Sequence, residues 1–360
     1  MTRLTWMRYT QAVNQIMRSR NLSLDGLRAM TDDVGMFQHS KYSTIVRKEG
    51  YTTDDNARAL IAALRYHRAY RDPEALGLAR IYLAFLLHMQ REDGRLHNIL
   101  GYDRAYSDEL GSEDCMGHAL WACGYTLDTK ATEEMKRVAK EVFDKGLPPS
   151  HGFTSPRAKA FTILGLHHYH RAFPEDPNIL GIIEVFAQQL KGQYKVESER
   201  DWHWFEAYLT FANARLPQAL FSAYDSTREP SCLRVAVSSF DFLIETQILD
   251  GVFVPIGTEG WYLKNGERAF YDQQPIEASC MVEAALMAYD ATDEDRYLEA
   301  AQIAFEWYHG GNTKDVDLLN PETGTCYDGI TPEGLNRNQG AEATLSYYLA
   351  YLKLREHGLV

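Results

Sequence analysis

Acids, amides and arginines recur at the openings of apolar helical segments along this chain of 360 residues. Gly50–Leu60 reads GYTTDDNARAL and holds Tyr51, Asp54, Asp55, Asn56 and Arg58. Glu113 and Asp114 open a second segment, and Arg157 a third. The run Trp202, His203, Trp204 leads into Glu206, with Asn213 and Arg215 close behind. Gln273 and Gln274 precede Glu277, and Arg337, Asn338 and Gln339 precede Glu342. Flat rings beside carboxylates and amides suit a sugar, whose apolar faces stack and whose hydroxyls take paired hydrogen bonds. Breaking a glycosidic bond needs two carboxyl groups, one protonated and one ionised. Crowding acids into one place splits their pKa values in that way.

Any one of these acids has a simpler explanation. The helix dipole favours Asp and Glu in the first turn by roughly 0.3–1 kcal/mol, and Asp54 pairs naturally with Arg58 one turn later. Dipole preference does not explain why the same openings also hold amides, arginines and rings. The expected catalytic residues are Asp54, Asp55, Glu206 and Glu342. The remaining polar and aromatic residues named above, Arg58 apart, are expected to bind substrate. Asp54 and Asp55 point about 100° apart on a helix. Thr53 or Asp54 is expected to cap the helix, and Asp55 to reach the centre of the site. The preferred pair takes one acid from this opening and one from Glu206 or Glu342. Opposite sides of a ring suit the wider gap of an inverting enzyme.

Other chemistries find less support. His39, His97, His118, His151 and His203 lie near the same openings but show no HxxxH or HExxH spacing, so no metal is expected. His67, His167, His168 and His170 fall near helix C-termini, where the dipole favours them. Ser112 and Ser155 read as N-caps. There is no GxSxG, Walker loop or GxGxxG, and no cofactor is expected. Cys115, Cys123, Cys232, Cys280 and Cys326 are odd in number and widely spaced, which suits small core residues in a reducing cytoplasm.

The elements that must position these groups are helices of two kinds. Segments 54–67, 112–127, 155–170, 214–224, 275–290 and 340–356 are apolar on most faces. Segments 4–18 or 22–32, 74–90, 131–145, 177–192, 229–246 and 293–309 carry one apolar stripe. The first kind is buried and the second faces solvent. Their alternation predicts an all-α fold, an (α/α)6 toroid formed by residues 1–360 as one domain. The inner helices then run parallel and open at one mouth. The connections at that end are long, as functional loops are, and include KGLPPSHGFTSP; those at the other end are short. Gly94 and Gly251, each in a Q-x-x-D-G run, are expected to stop outer helices.

The net charge of −13 argues against a nucleic-acid partner. No apolar stretch is long enough for a membrane span, and the first 20 residues lack the apolar core of a signal peptide. A cytoplasmic location is expected, and the oligomeric state is open.

The motifs GYTTDDNARAL, GSEDCMGHALWACG, DWHWFEAYLTFANARLPQAL, QQPIEASCMVEAAL and GITPEGLNRNQGAEATLSYYLA resemble, in that order, a group of six-hairpin glycosidase-like proteins. Its members are often described as glycosyltransferases or found beside glycosyltransferase and mannoside-phosphorylase domains. The resemblance spans about residues 34–355 and implies a six-hairpin barrel and carbohydrate metabolism. It does not imply a particular catalytic pair. The chain lacks the α/β pattern of a nucleotide-sugar domain, so the transferase description fits the neighbouring domains. An acid is expected in relatives where this chain has Ala212. The leading expectation is a glycoside hydrolase acting on an oligosaccharide, a mannoside among the candidates. The alternatives are a sugar epimerase or isomerase on the same fold, or a non-catalytic module that binds an oligosaccharide or monosaccharide.

Overall fold

A computed structural model describes residues 22–360. The expected helix at 4–18 lies outside them. The described residues form twelve helices. The inner ones are α2 (Thr53–Tyr70), α4 (Glu113–Leu127), α6 (Pro156–Ala172), α8 (Arg215–Thr227), α10 (Pro275–Thr292) and α12 (Ala341–Glu356). The outer ones are α1 (Asp25–Ala29), α3 (Pro73–Met89), α5 (Glu133–Ser150), α7 (Pro177–Glu197), α9 (Pro230–Gln247) and α11 (Asp295–Glu306). Each inner helix packs on the next, and α12 packs back on α2, so the ring closes. This is the expected toroid.

Burial follows the two sequence patterns. Every residue of α10 from Pro275 to Leu286 is buried, whereas α7 buries only Ile179, Ile183, Phe186, Ala187 and Leu190 along its inner stripe. All five cysteines are buried and free. Prolines at 73, 156, 177, 230 and 275 start helices where the missing N–H costs nothing. Ser112 and Ser155 cap α4 and α6 as expected.

Inner helices α4 and α6 approach closely enough to demand glycine. A Cβ on Gly124 would stand 2.2 Å from the Gly165 carbonyl oxygen, and one on Gly165 would stand 2.5 Å from that of Leu120. Both obstacles are backbone and cannot swing aside. Gly124→Ala is expected to cost about 1–3 kcal/mol as the two helices are forced apart, measured by urea denaturation.

The links at one end are short: 71–72, 128–132, 173–176, 228–229 and 293–294. The opposite links are long except 151–155, because α5 runs through Pro148 and Pro149 to Ser150 instead of ending near 145. The long links are braced by two-stranded ribbons. Strand β1 (Tyr51–Thr52) pairs with β2 (Ile99–Leu100), and β3 (Tyr208–Leu209) with β4 (Tyr262–Leu263). Strands β5 (Gly329–Thr331) and β6 (Gly334–Asn336) form a hairpin just before α12. Gly94 and Gly251 do not end helices. They occupy left-handed turns beyond them, φ 85° and 81°, where the chain doubles back toward the mouth.

Candidate active site

The first bank of the mouth is built by the start of α2. Its cap is Thr52, one residue earlier than expected, whose hydroxyl accepts from the Asp55 N–H and donates to Asp55 Oδ2 at 2.7 Å. That reciprocal cap turns Asp55 inward, and it is only 3% exposed. Asp54, with 30% of its side chain exposed, is the more accessible of the pair. Asp55 lines the cavity from beneath Asp54, held by the Thr52 hydroxyl and the Arg58 guanidinium. Buried Arg58 gathers three acids, with Nη2 2.7 Å from Asp55 and 3.6 Å from Asp54, and Nη1 3.0 Å from Glu342. Asp54, Asp55, Arg58 and Glu342 line a cavity of about 350 Å³ together with Gln274, Asp272 and Asp328.

The second bank is organised by Arg157 at the start of α6. Its guanidinium meets Glu206 at 2.8 Å, Thr210 at 2.8 Å and the Phe211 carbonyl at 2.6 Å, and lies 4.7 Å from the Phe211 ring centre. Glu277 accepts from the Ala212 N–H, and at 3.1 Å from the Asn213 amide. Ala212 takes a left-handed φ of 49°, which aims its N–H at Glu277. Asn213 also lies 3.4 Å from Arg157 and so links the two ion-pairing groups.

His118 on α4 stands between the banks. Its Nδ1 lies 2.9 Å from the Asp114 carbonyl, and its ring centre lies 3.8 Å from that of Phe161. Burial and the nearby Arg58 push its pKa down to about 3, so the imidazole is neutral. Asp114, which accepts from Ser155 Oγ at 2.6 Å, is raised by burial and feels both Arg157 and Asp54.

The acids do not titrate alike. Burial and the charges of Asp54 and Glu342 raise Asp55 to about 7 against the pull of Arg58. Burial acts on Asp54 too, but the Arg58 guanidinium foremost outweighs it and holds Asp54 below the usual carboxylate range. Burial also raises Glu277 to about 7.

Beneath the mouth, the ring is crossed by a charged floor. Glu283 of α10, fully buried, is ion-paired to both Arg65 of α2 and Arg215 of α8. Arg215 also donates to Gln218 at 2.6 Å and stacks 4.7 Å over the Trp121 ring.

Several expected contacts are engaged elsewhere. Tyr51 is buried, stacks on Phe37 and donates to Asp32 at 2.6 Å. Asn56 holds the backbone of Met36 and Thr52. Glu113 ties down the Thr154 and Ser155 amides. Trp202 and Trp204 are buried, and His203 lies edge-on to Phe242 of outer helix α9. Gln273 is buried against Trp307, and Gln339 accepts from Thr323 and Thr325. Asn338 accepts from the Tyr42 N–H, and Arg337 is exposed. Arg337 apart, these side chains fold the loops. Asp272 and Asp328 were missed because neither sits at a helix start. Phe211, 40% exposed beside Arg157, was hidden in a loop run. Glu283 did leave a signal: a lone acid inside the apolar helix VEAALMAY requires a buried partner.

No family model matches the chain, and no curated protein sequence does. Solved structures do match in fold. Cellobiose 2-epimerase from Bacillus thermoamylovorans is 12% identical, with 97% of this chain and 99% of that chain covered and a TM-score of 0.74. A D-mannose isomerase is 14% identical, with 97% and 98% covered and a TM-score of 0.69. An α-1,6-mannanase of Salegentibacter sp. in complex with α-1,6-mannotetrose is 13% identical, with 94% and 98% covered and a TM-score of 0.65. That mannanase is an inactive variant in which two consecutive aspartates are replaced by alanine. At these identities the likeness is one of fold, and the chain has the (α/α)6 six-hairpin glycosidase-like architecture. No described helix is long and apolar enough to cross a membrane.

Proposed function

We propose that this chain is a glycoside hydrolase acting on an oligosaccharide, with α-linked mannosides the first substrates to test. The observation that carries the reading is a pair of adjacent acids lining one cavity in unlike surroundings. Asp55 is sunk to 3% exposure, where burial raises its pKa to about 7, and Asp54 is the more open of the two and is held low by Arg58. Paired carboxyls whose surroundings push their pKa values apart are the acid and the base of such a reaction. Asp54 acts as the ionised partner, base or nucleophile, and Asp55 as the proton donor. The inactive double-aspartate variant of the mannanase supports looking to consecutive aspartates. This replaces the pairing across the ring, because Glu206 is bound to Arg157 and Glu342 supports Arg58. Gln274 borders the cavity a sugar would fill. The buried free cysteines fit a cytoplasmic setting, and the chain is proposed to act as one domain.

The pH profile tests the assignment. The donor works only when protonated, so kcat/KM is expected to be flat below pH 7. Above about pH 7 it should fall roughly tenfold per pH unit as Asp55 ionises. The acid limb, set by Asp54, should lie below the usual carboxylate range. Release of reducing sugar from α-1,6-manno-oligosaccharides between about pH 4 and about pH 9 would show it. An alkaline limb set by a group other than Asp55, one that survives Asp55→Asn unchanged, would defeat the assignment.

One observation favours a second reading, a sugar epimerase or isomerase. His118 lies within the electrostatic reach of Asp54, and an imidazole without a proton is the form in which histidine acts as a base. Incubation with mannose or cellobiose in heavy water separates the two. Deuterium incorporated at carbon 2 supports proton transfer by an imidazole, and hydrolysis without exchange supports the carboxyl pair. A glycan bound for long periods without either change would point to a binding module.

A further inference from the structure

A second cavity, of about 360 Å³, lies on the barrel axis at the short-link end, and all six inner helices contribute to its wall. It stands on the other side of the Arg65–Glu283–Arg215 floor from the mouth, and no step of the proposed hydrolysis uses it. Its rim holds many charges, but these satisfy one another. Asp128 pairs with His168 and Arg171, each at 2.9 Å, and Asp225 with Arg228 at 2.9 Å. Asp290 meets His357 at 3.1 Å, and Glu356 lies 3.5 Å from both Arg68 and Lys353. Dipole compensation at helix C-termini accounts for such a rim.

The wall beneath the rim is different. Arg65 is 5% exposed, and its Nε–H has no hydrogen-bond partner within the protein. Tyr125 is 4% exposed, and its hydroxyl also lacks a partner of ordinary geometry, although the Arg65 guanidinium lies 5.4 Å from its ring centre. Gln218 is 4% exposed; its Oε1 accepts from Arg215, which leaves its amide N–H groups as the free end. Arg65 and Gln218 offer donors there, and the Tyr125 hydroxyl supplies a third. A buried donor without an acceptor costs about 1–3 kcal/mol, so a ligand that supplies acceptors gains from each.

We propose that this cavity is a binding site for a small oxyanion, a phosphate group held by Arg65, Tyr125 and Gln218. The phosphate is either free or carried on a sugar. The mouth, with three carboxylates around Arg58, would repel the same group. The two ends of the barrel therefore select ligands of opposite character.

Isothermal titration of the whole chain with inorganic phosphate and with glucose 6-phosphate, in chloride buffer, tests this. Glucose is the uncharged control. Saturable binding of at least one phosphate is expected, with none of glucose at this site. Tighter binding of glucose 6-phosphate assigns the site to a phosphosugar, and equal binding assigns it to the free anion. Tyr125→Phe removes only the unpaired hydroxyl and should weaken binding roughly tenfold. Gln218→Glu keeps an acceptor for Arg215 but sets a negative charge in the wall, and should abolish binding. Failure of both phosphates to bind at millimolar concentration overturns the proposal. So does binding that a folded Gln218→Glu protein retains at wild-type strength.

Discussion

Asp54→Asn is expected to lower kcat on an α-1,6-manno-oligosaccharide by about 10²–10⁴-fold, the usual contribution of a positioned acid or base. Binding should survive, because Asp54 has no close ion pair, only Arg58 at 3.6 Å. The melting temperature should hardly move for the same reason. Asp55→Asn should reduce turnover to a similar extent, since an amide cannot deliver the proton. The two variants separate when the leaving group is changed. An aryl mannoside with a good leaving group needs no protonation and should restore much of the rate to Asp55→Asn. It should not rescue Asp54→Asn, where the ionised partner itself is gone. If the aryl substrate rescues both or neither, the division of labour between the two acids is wrong.

Glu283→Ala is expected to be the most damaging single change to stability, at about 3–5 kcal/mol. It leaves two guanidiniums, Arg65 and Arg215, buried at 5% and 3% exposure with their shared carboxylate removed. An ion pair out of water is held together at high cost, and removing one member exposes the whole desolvation penalty of the others. The sharper comparison is a triple replacement, Arg65→Met, Glu283→Leu and Arg215→Met. It removes every charge and should be less destabilising than Glu283→Ala alone, as read by urea denaturation. A triple variant weaker than the single one would mean that the side-chain geometry of the floor, rather than its charge balance, holds the ring.

The architecture was legible because burial writes itself into composition. Segment 275–290 is apolar all round and α10 is buried all round, while the striped segment 177–192 became the outer helix α7. The convergence of helix openings on one mouth followed from that alternation alone. Side-chain direction was less legible. The cap is Thr52 rather than Thr53 or Asp54, and its hydroxyl holds Asp55 inward while Asp54 stays the more open of the two. Trp202 and Trp204 stand four and two residues before Glu206, yet their loop turns them into the core. Sequence proximity to an acid carries no information about such a turn. Asp272 and Asp328 reach the cavity from loops, where no periodicity marks them.

The floor formed by Glu283 and its two arginines also sets how a long ligand is handled. With the axis crossed by paired charges, the barrel is a cup and not a tunnel. Under the proposed hydrolysis, product leaves by the same opening through which substrate enters, and free product is expected to compete with substrate there.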